Sequence, residues 1–144
     1  MTNLIEIDYH WLEGSIPPPD HYEYSINISG NDCKIELQPD YPNDNTPRWI
    51  EKFSVENEMI NKLVLLLNNV SDKEWIPNGN IPVGDSIEWM NIKLEDNVFI
   101  IPGSAVKTDE LIKLFSFINS LVPQKIWLKL NALREKYIDE FNQK

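Results

Sequence analysis

A single cysteine, Cys33, rules out any disulfide within the chain, so stability has to come from packing. Cationic side chains are scarce: 13 lysines and arginines stand against 23 aspartates and glutamates, for a net charge of −10. That balance argues against nucleic acid and anionic lipid as partners, since both need cationic protein surface. Long apolar runs are missing as well. The longest aliphatic stretch, Leu63 to Leu67, is far shorter than the roughly 20 residues of a membrane span. The N-terminus lacks the basic-then-apolar layout of an export signal, so a reducing cytoplasm is the expected setting. With only five glycines there is no Gly-x-Gly-x-x-Gly or Walker pattern to cradle a nucleotide's phosphates.

What is present suits one globular domain spanning residues 1–144. Hydrophobic residues reach 42%, which excludes a disordered chain, and a domain of this length buries about 70% of its unfolded surface without staples. Charge is unevenly spread. Residues 1–47 carry nine acids and one base (−8), residues 48–106 nine and five (−4), and residues 107–144 five and seven (+2).

The acidic first third alternates with the period of a strand covered on one side. Ile5, Ile7, Tyr9 and Trp11 fall on one face, with Glu6, Asp8 and His10 on the other. Tyr22, Tyr24, Ile26 and Ile28 repeat the pattern against Glu23, Ser25, Asn27 and Ser29. After the turn residues Gly30, Asn31 and Asp32 comes Cys33, Ile35 and Leu37 in phase, so an antiparallel hairpin is predicted. Pro39, Pro42 and Pro47 predict a loop that joins no sheet, followed by a fourth strand over Arg48 to Phe53. Ser54 is the predicted N-cap of a helix whose stripe is Met59, Leu63, Leu66, Leu67 and Val70. Pro77, Gly79, Pro82 and Gly84 mark a loop around Trp75. A second hairpin is predicted over Ser86 to Leu94 and Val98 to Ile101. Thr108 caps a helix with the stripe Leu111, Leu114, Phe115, Ile118 and Val122. Pro123 suits the first turn of a last helix with the stripe Ile126, Leu130, Leu133, Tyr137 and Phe141. Strands followed by helices, without βαβ alternation, predict an α+β fold: an antiparallel sheet of about six strands in two hairpins, with three helices on one face.

Chemistry is thinly signalled. Gly84-Asp85-Ser86 resembles the nucleophile block of the Gly-Asp-Ser-Leu serine hydrolases, which draw their base from a downstream histidine. Both histidines here, His10 and His21, lie upstream, so the tripeptide reads as a turn. Asp8, His10, Glu13, Asp20, His21 and Glu23 offer imidazole and carboxylates for a metal-assisted enzyme, without any recognised ligand spacing. No cofactor is implied. Cys33 reads as a small core hydrophobe, and Trp11 and Trp89 as core residues of strands. Trp49, Trp75 and Tyr41, beside proline-rich loops, read as lids over the core's edges.

The remaining signal is electrostatic. If helices cover one sheet face, the other bears Glu6, Asp8, His10, Glu23, Glu36 and Gln38, a negatively charged plate whose like charges repel unless Lys34 or a partner offsets them. The leading expectation is therefore a non-catalytic binding module that docks a basic protein or peptide through Glu6, Asp8, His10, Glu23 and Glu36, in the manner of inhibitors and immunity proteins. Self-association into a homodimer, through an edge strand or the last helix, is the second expectation, and the metal-assisted enzyme using Asp8, His10, Asp20 or His21 the third.

Overall fold

The computed structural model describes residues 5–14, 16–71, 86–103 and 108–143. In chain order the elements are β1 (Ile5–Leu12), β2 (Tyr22–Ser29), β3 (Asp32–Pro39), β4 (Trp49–Ser54), α1 (Asn57–Ser71), β5 (Ile87–Leu94), β6 (Asn97–Ile101), α2 (Asp109–Ser120) and α3 (Gln124–Asn142). The strands form one antiparallel sheet in the order β4-β3-β2-β1-β5-β6. This is an α+β fold, as the strand-then-helix pattern requires.

The turns follow from backbone sterics. β2 and β3 are joined by two residues between Ser29 and Asp32, and Gly30 takes φ of 60°, the left-handed conformation such tight hairpins need. The β5–β6 hairpin closes on Glu95 and Asp96 with Glu95 at φ of 55°, so a side-chain-bearing residue carries the strain there.

Alternation then sorts the side chains. Ile5, Ile7, Tyr9, Ile26, Ile28, Cys33, Ile35, Leu37, Met90 and Ile92 point to one face and are buried. From that side come Ile60, Leu63, Leu67 and Val70 of α1, Leu111, Leu114, Phe115 and Ile118 of α2, and Ile126 and Leu130 of α3, closing one core. Each full burial of such a side chain contributes about 1.5–3 kcal/mol, which makes this layer the fold's main source of stability. Thr108 caps α2 as predicted, its side chain accepting from the Leu111 N–H at 3.2 Å.

Several expectations need correction. Ser54 does not cap a helix; it ends β4 opposite Asp32, and α1 begins at Asn57. The cause is Asn31, whose carbonyl accepts from Val55 N–H while its amide donates to the Val55 carbonyl and Asn57 Oδ1, holding the chain extended past Ser54. Pro39 does join the sheet, as the last residue of β3 opposite Tyr22, a terminal position where proline's missing N–H costs little. Pro123 precedes α3 at its cap instead of entering the first turn, and its carbonyl accepts from Ile126 and Trp127. Phe141 is exposed: α3 bonds to the sheet layer as far as Tyr137, which donates to Asp40, and its last turn runs on beyond that contact. The predicted loop around Trp75, with Gly84 and Asp85, lies outside the described residues.

Candidate functional site on the outer sheet face

The register fixes the uncovered face as a grid. Across one row run Ser54, Asp32, Ser29, Glu6 and Lys93; across the next, Lys52, Lys34, Asn27, Asp8 and Asn91. The third row is Ile50, Glu36, Ser25, His10 and Trp89, and the fourth holds Gln38, Glu23, Leu12 and Ile87. Glu6, Asp8, His10, Glu23 and Glu36 thus share one face over the three central strands β1, β2 and β3. Glu6 and Asp8 are exposed, and the other three are half-buried.

That face is not uniformly acidic. Its five carboxylates (Glu6, Asp8, Glu23, Asp32, Glu36) are accompanied by Lys34, Lys52 and Lys93, and by Arg48, which pairs with Glu36. The cations lie on β3 and β5 and at the β4 edge. β1 and β2 between them carry Glu6, Asp8 and Glu23 on this face with no lysine or arginine. The plate is therefore an acidic band two strands wide, about 10 Å across at ordinary strand spacing, with cationic margins. Asn27 bridges within it, donating to Asp8 Oδ1.

His10 sits at the centre, stacked on Trp89 with ring centroids 4.0 Å apart and planes 10° from parallel. Trp89 is thus on the outer face rather than in the core. Met90 and Ile92 take the inward phase of β5, and the tryptophan necessarily takes the other. Burial by this stack pulls His10 below the usual histidine range, against the opposing pull of Asp8 and Glu23. Gly103 lets the chain after β6 close over the same corner: a Cβ there would meet Ile87 Cγ2 at 2.6 Å. A shallow cleft of about 180 Å³ opens beside His10, lined also by Glu23, Ser25, Glu36, Gln38 and Arg48.

The two histidines do not converge. His21 is buried, stacked on Tyr41 at 3.9 Å, with Nδ1 at 3.2 Å from the Gly14 carbonyl and Nε2 at 3.3 Å from Glu23 Oε2. Asp20 is exposed, and its carbonyl accepts from Arg134. Among the described residues no group of three or more histidines, cysteines, aspartates and glutamates is placed to hold a metal ion. Cys33 is buried on β3, between Ile28 of β2 and Phe53 of β4, and burial pushes its thiol up to about 11, the behaviour of a core residue.

The inner face also holds a polar network that the local sequence pattern does not predict. Tyr9 donates to Glu88, Tyr24 donates to Asn119 Oδ1, and Asn119 Nδ2 donates to the Tyr9 hydroxyl at 3.0 Å and the Phe115 carbonyl at 2.8 Å. Burial drives both tyrosine hydroxyls well above their usual pKa. The clue lies in phase: Glu88 falls in step with Met90, Ile92 and Leu94, and Asn119 sits one helical turn after Phe115. Trp11, also inward, stacks on Tyr24 at 5.2 Å, while Arg134 lies over Tyr22 at 4.1 Å. Trp49 packs half-buried against the core, as a lid would.

Compared with known protein families and with characterised proteins, the sequence matches none. Among the described residues no helix is long and apolar enough to cross a membrane.

Proposed function

We propose that this protein is a non-catalytic binding module that docks a basic protein or peptide along the acidic band of its sheet. One observation carries the reading: helices cover one face, while the other leaves Glu6, Asp8 and Glu23 on two adjacent strands without an intervening cation. Unlike charges across an interface steer encounter and fix register, and the net charge of −10 adds a long-range field of the same sign. The cationic margins narrow the partner. A basic helix or extended segment lying along β1 and β2 satisfies the band and avoids Lys34, Lys52 and Lys93, whereas a broad basic surface meets them head on.

The test is affinity capture from cell extract by wild-type protein and by an E6Q/D8N/E23Q variant, each at low and high salt. A basic partner held by the wild type at low salt, released by salt and lost from the variant, is the expected result. Equal capture by both proteins, or no salt-sensitive partner at all, overturns the proposal.

A second reading, self-association, is favoured by the edge strand β6, where Val98 and Ile100 are 73% and 59% exposed on the outward phase. An apolar edge without lysine or proline is a template for strand pairing. Sedimentation across a dilution series decides it: a dimer that dissociates on dilution and is abolished by Ile100→Lys supports pairing, and a monomer at every concentration excludes it.

A further inference from the structure

Lys34 and Lys52 stand directly opposite each other on β3 and β4. Like charges at such a position, with Cβ atoms about 5 Å apart, destabilise a sheet. The arrangement is the more pointed in a chain with almost twice as many acids as bases. Asp32, two residues before Lys34 on the same face, makes no ion pair with either lysine, and the other nearby carboxylates are engaged. Asp8, the anion in the same row, is held by Asn27, and Glu36, two residues along β3, pairs with Arg48. Among the described residues neither lysine has an ion-pair partner.

Both lysines line an open depression of about 500 Å³. Its walls are supplied by three strands in two rows: Asn27, Lys34 and Lys52 in one, Ser29, Asp32 and Ser54 in the other. Ammonium groups and serine hydroxyls donate hydrogen bonds to an oxyanion, and two cations outweigh the single carboxylate of Asp32. Asp32 selects among such ligands. An ionised carboxylate only accepts, so it repels sulfate but takes a hydrogen bond from an oxyanion that keeps a P–OH.

We infer that the Lys34–Lys52 depression is a binding site for free hydrogenphosphate, a dianion that keeps one P–OH. The site goes beyond the docking reading and does not depend on it, since it uses the cationic margin of the face and none of Glu6, Asp8 or Glu23.

Backbone amide NMR of the full chain, titrated at constant ionic strength with inorganic phosphate, methyl phosphate or sulfate, tests it. Phosphate is expected to give saturable shifts centred on Ser29, Lys34, Lys52 and Ser54, with sulfate at least tenfold weaker. Saturation by inorganic phosphate alone is expected, and methyl phosphate, whose dianion has no P–OH, overturns the assignment if it binds as tightly. Lys52→Glu supplies the second readout. It places opposite charges across the strands, so phosphate affinity is expected to fall at least tenfold while the melting temperature rises. Non-saturable shifts, shifts scattered over the chain, sulfate binding as tight as phosphate, or undiminished affinity in Lys52→Glu would each overturn the assignment.

Discussion

The two faces of the sheet are made by the same strands, residue by alternate residue, yet they obey different rules. On the inner face most side chains are apolar and buried, the polar groups of Tyr9, Tyr24, Glu88 and Asn119 are hydrogen-bonded among themselves, and Glu51 on the β4 edge pairs with Lys129 of α3. Outside, charges of both signs, an aromatic pair and exposed aliphatics lie side by side with few mutual bonds. The inner arrangement is what burial permits, because an unpaired polar group away from water costs more than any single contact returns. Water tolerates almost any pattern on the outer face, so the particular pattern found there is where recognition has room to be encoded.

The contrast is sharpest between neighbours on one strand. Ile35 and Lys34 differ by one position, but Ile35 is fully buried and Lys34 exposed. Ile35→Ala is expected to cost about 2–5 kcal/mol through the cavity it leaves. Lys34→Ala is expected to stay within about 0.5 kcal/mol, or to stabilise slightly by removing its repulsion with Lys52. Urea denaturation of both variants checks this, and similar losses would break the division between faces.

Asn119→Leu comes next in size. It strips Tyr24 of its acceptor and Tyr9 of a donor while leaving the apolar packing nearly intact, so a loss of about 1–3 kcal/mol is expected from unsatisfied buried groups. A neutral result in the same denaturation experiment means that the inner face tolerates polar groups as loosely as the outer one. Thr108→Ala, which removes a cap and touches neither face, is expected to cost about 1 kcal/mol.

How much of this was legible beforehand follows from the same division. The β2–β3 hairpin could be read because two runs with clean alternation flank Gly30 and Asn31. β5 could not be phased from composition: Ile87, Trp89, Met90, Ile92 and Leu94 put apolar residues in both phases, and only pairing with β1 assigns Trp89 to His10. The carboxylates of the outer face were legible because they lie on the first three strands in sequence. Lys52 and Lys93, which limit that acidity, enter the face from β4 and β5, and strand order is a tertiary fact. The Tyr9–Glu88–Asn119 network joins positions 79 and 110 residues apart, beyond any local pattern. Where a helix starts was decided by Asn31, a turn residue 26 positions before Asn57.

Alkaline pH tests the inner face further. Burial raises the folded-state pKa of Cys33 to about 11, and raises Tyr9 and Tyr24 too, so the folded protein holds these protons more tightly than the unfolded chain. Stability from these groups is therefore complete below pH 9 and falls as pH rises through the thiol and phenol range. Cys33→Ala is expected to flatten the part of that decline between pH 9 and about 11, measured by urea unfolding at stepped pH. An unchanged slope means that Cys33 is not held in the core layer.

The smallest effect belongs to the outer face and runs in the opposite direction. His10 is lowered from 6.5 because its stack on Trp89 withdraws the ring from water, and Asp8 and Glu23 recover only part of that loss. Below pH 6.5 the unfolded chain then binds a proton more readily than the folded one, so the stability that His10 supplies is present above that pH and lost as pH falls through it. Trp89→Ala uncovers the ring but leaves both carboxylates, and the His10 titration followed by NMR is expected to move up, past the usual histidine value. A titration that stays depressed in the variant would mean that the stack is not what sets His10 apart, and the centre of the outer face would then be as plainly solvated as its rim.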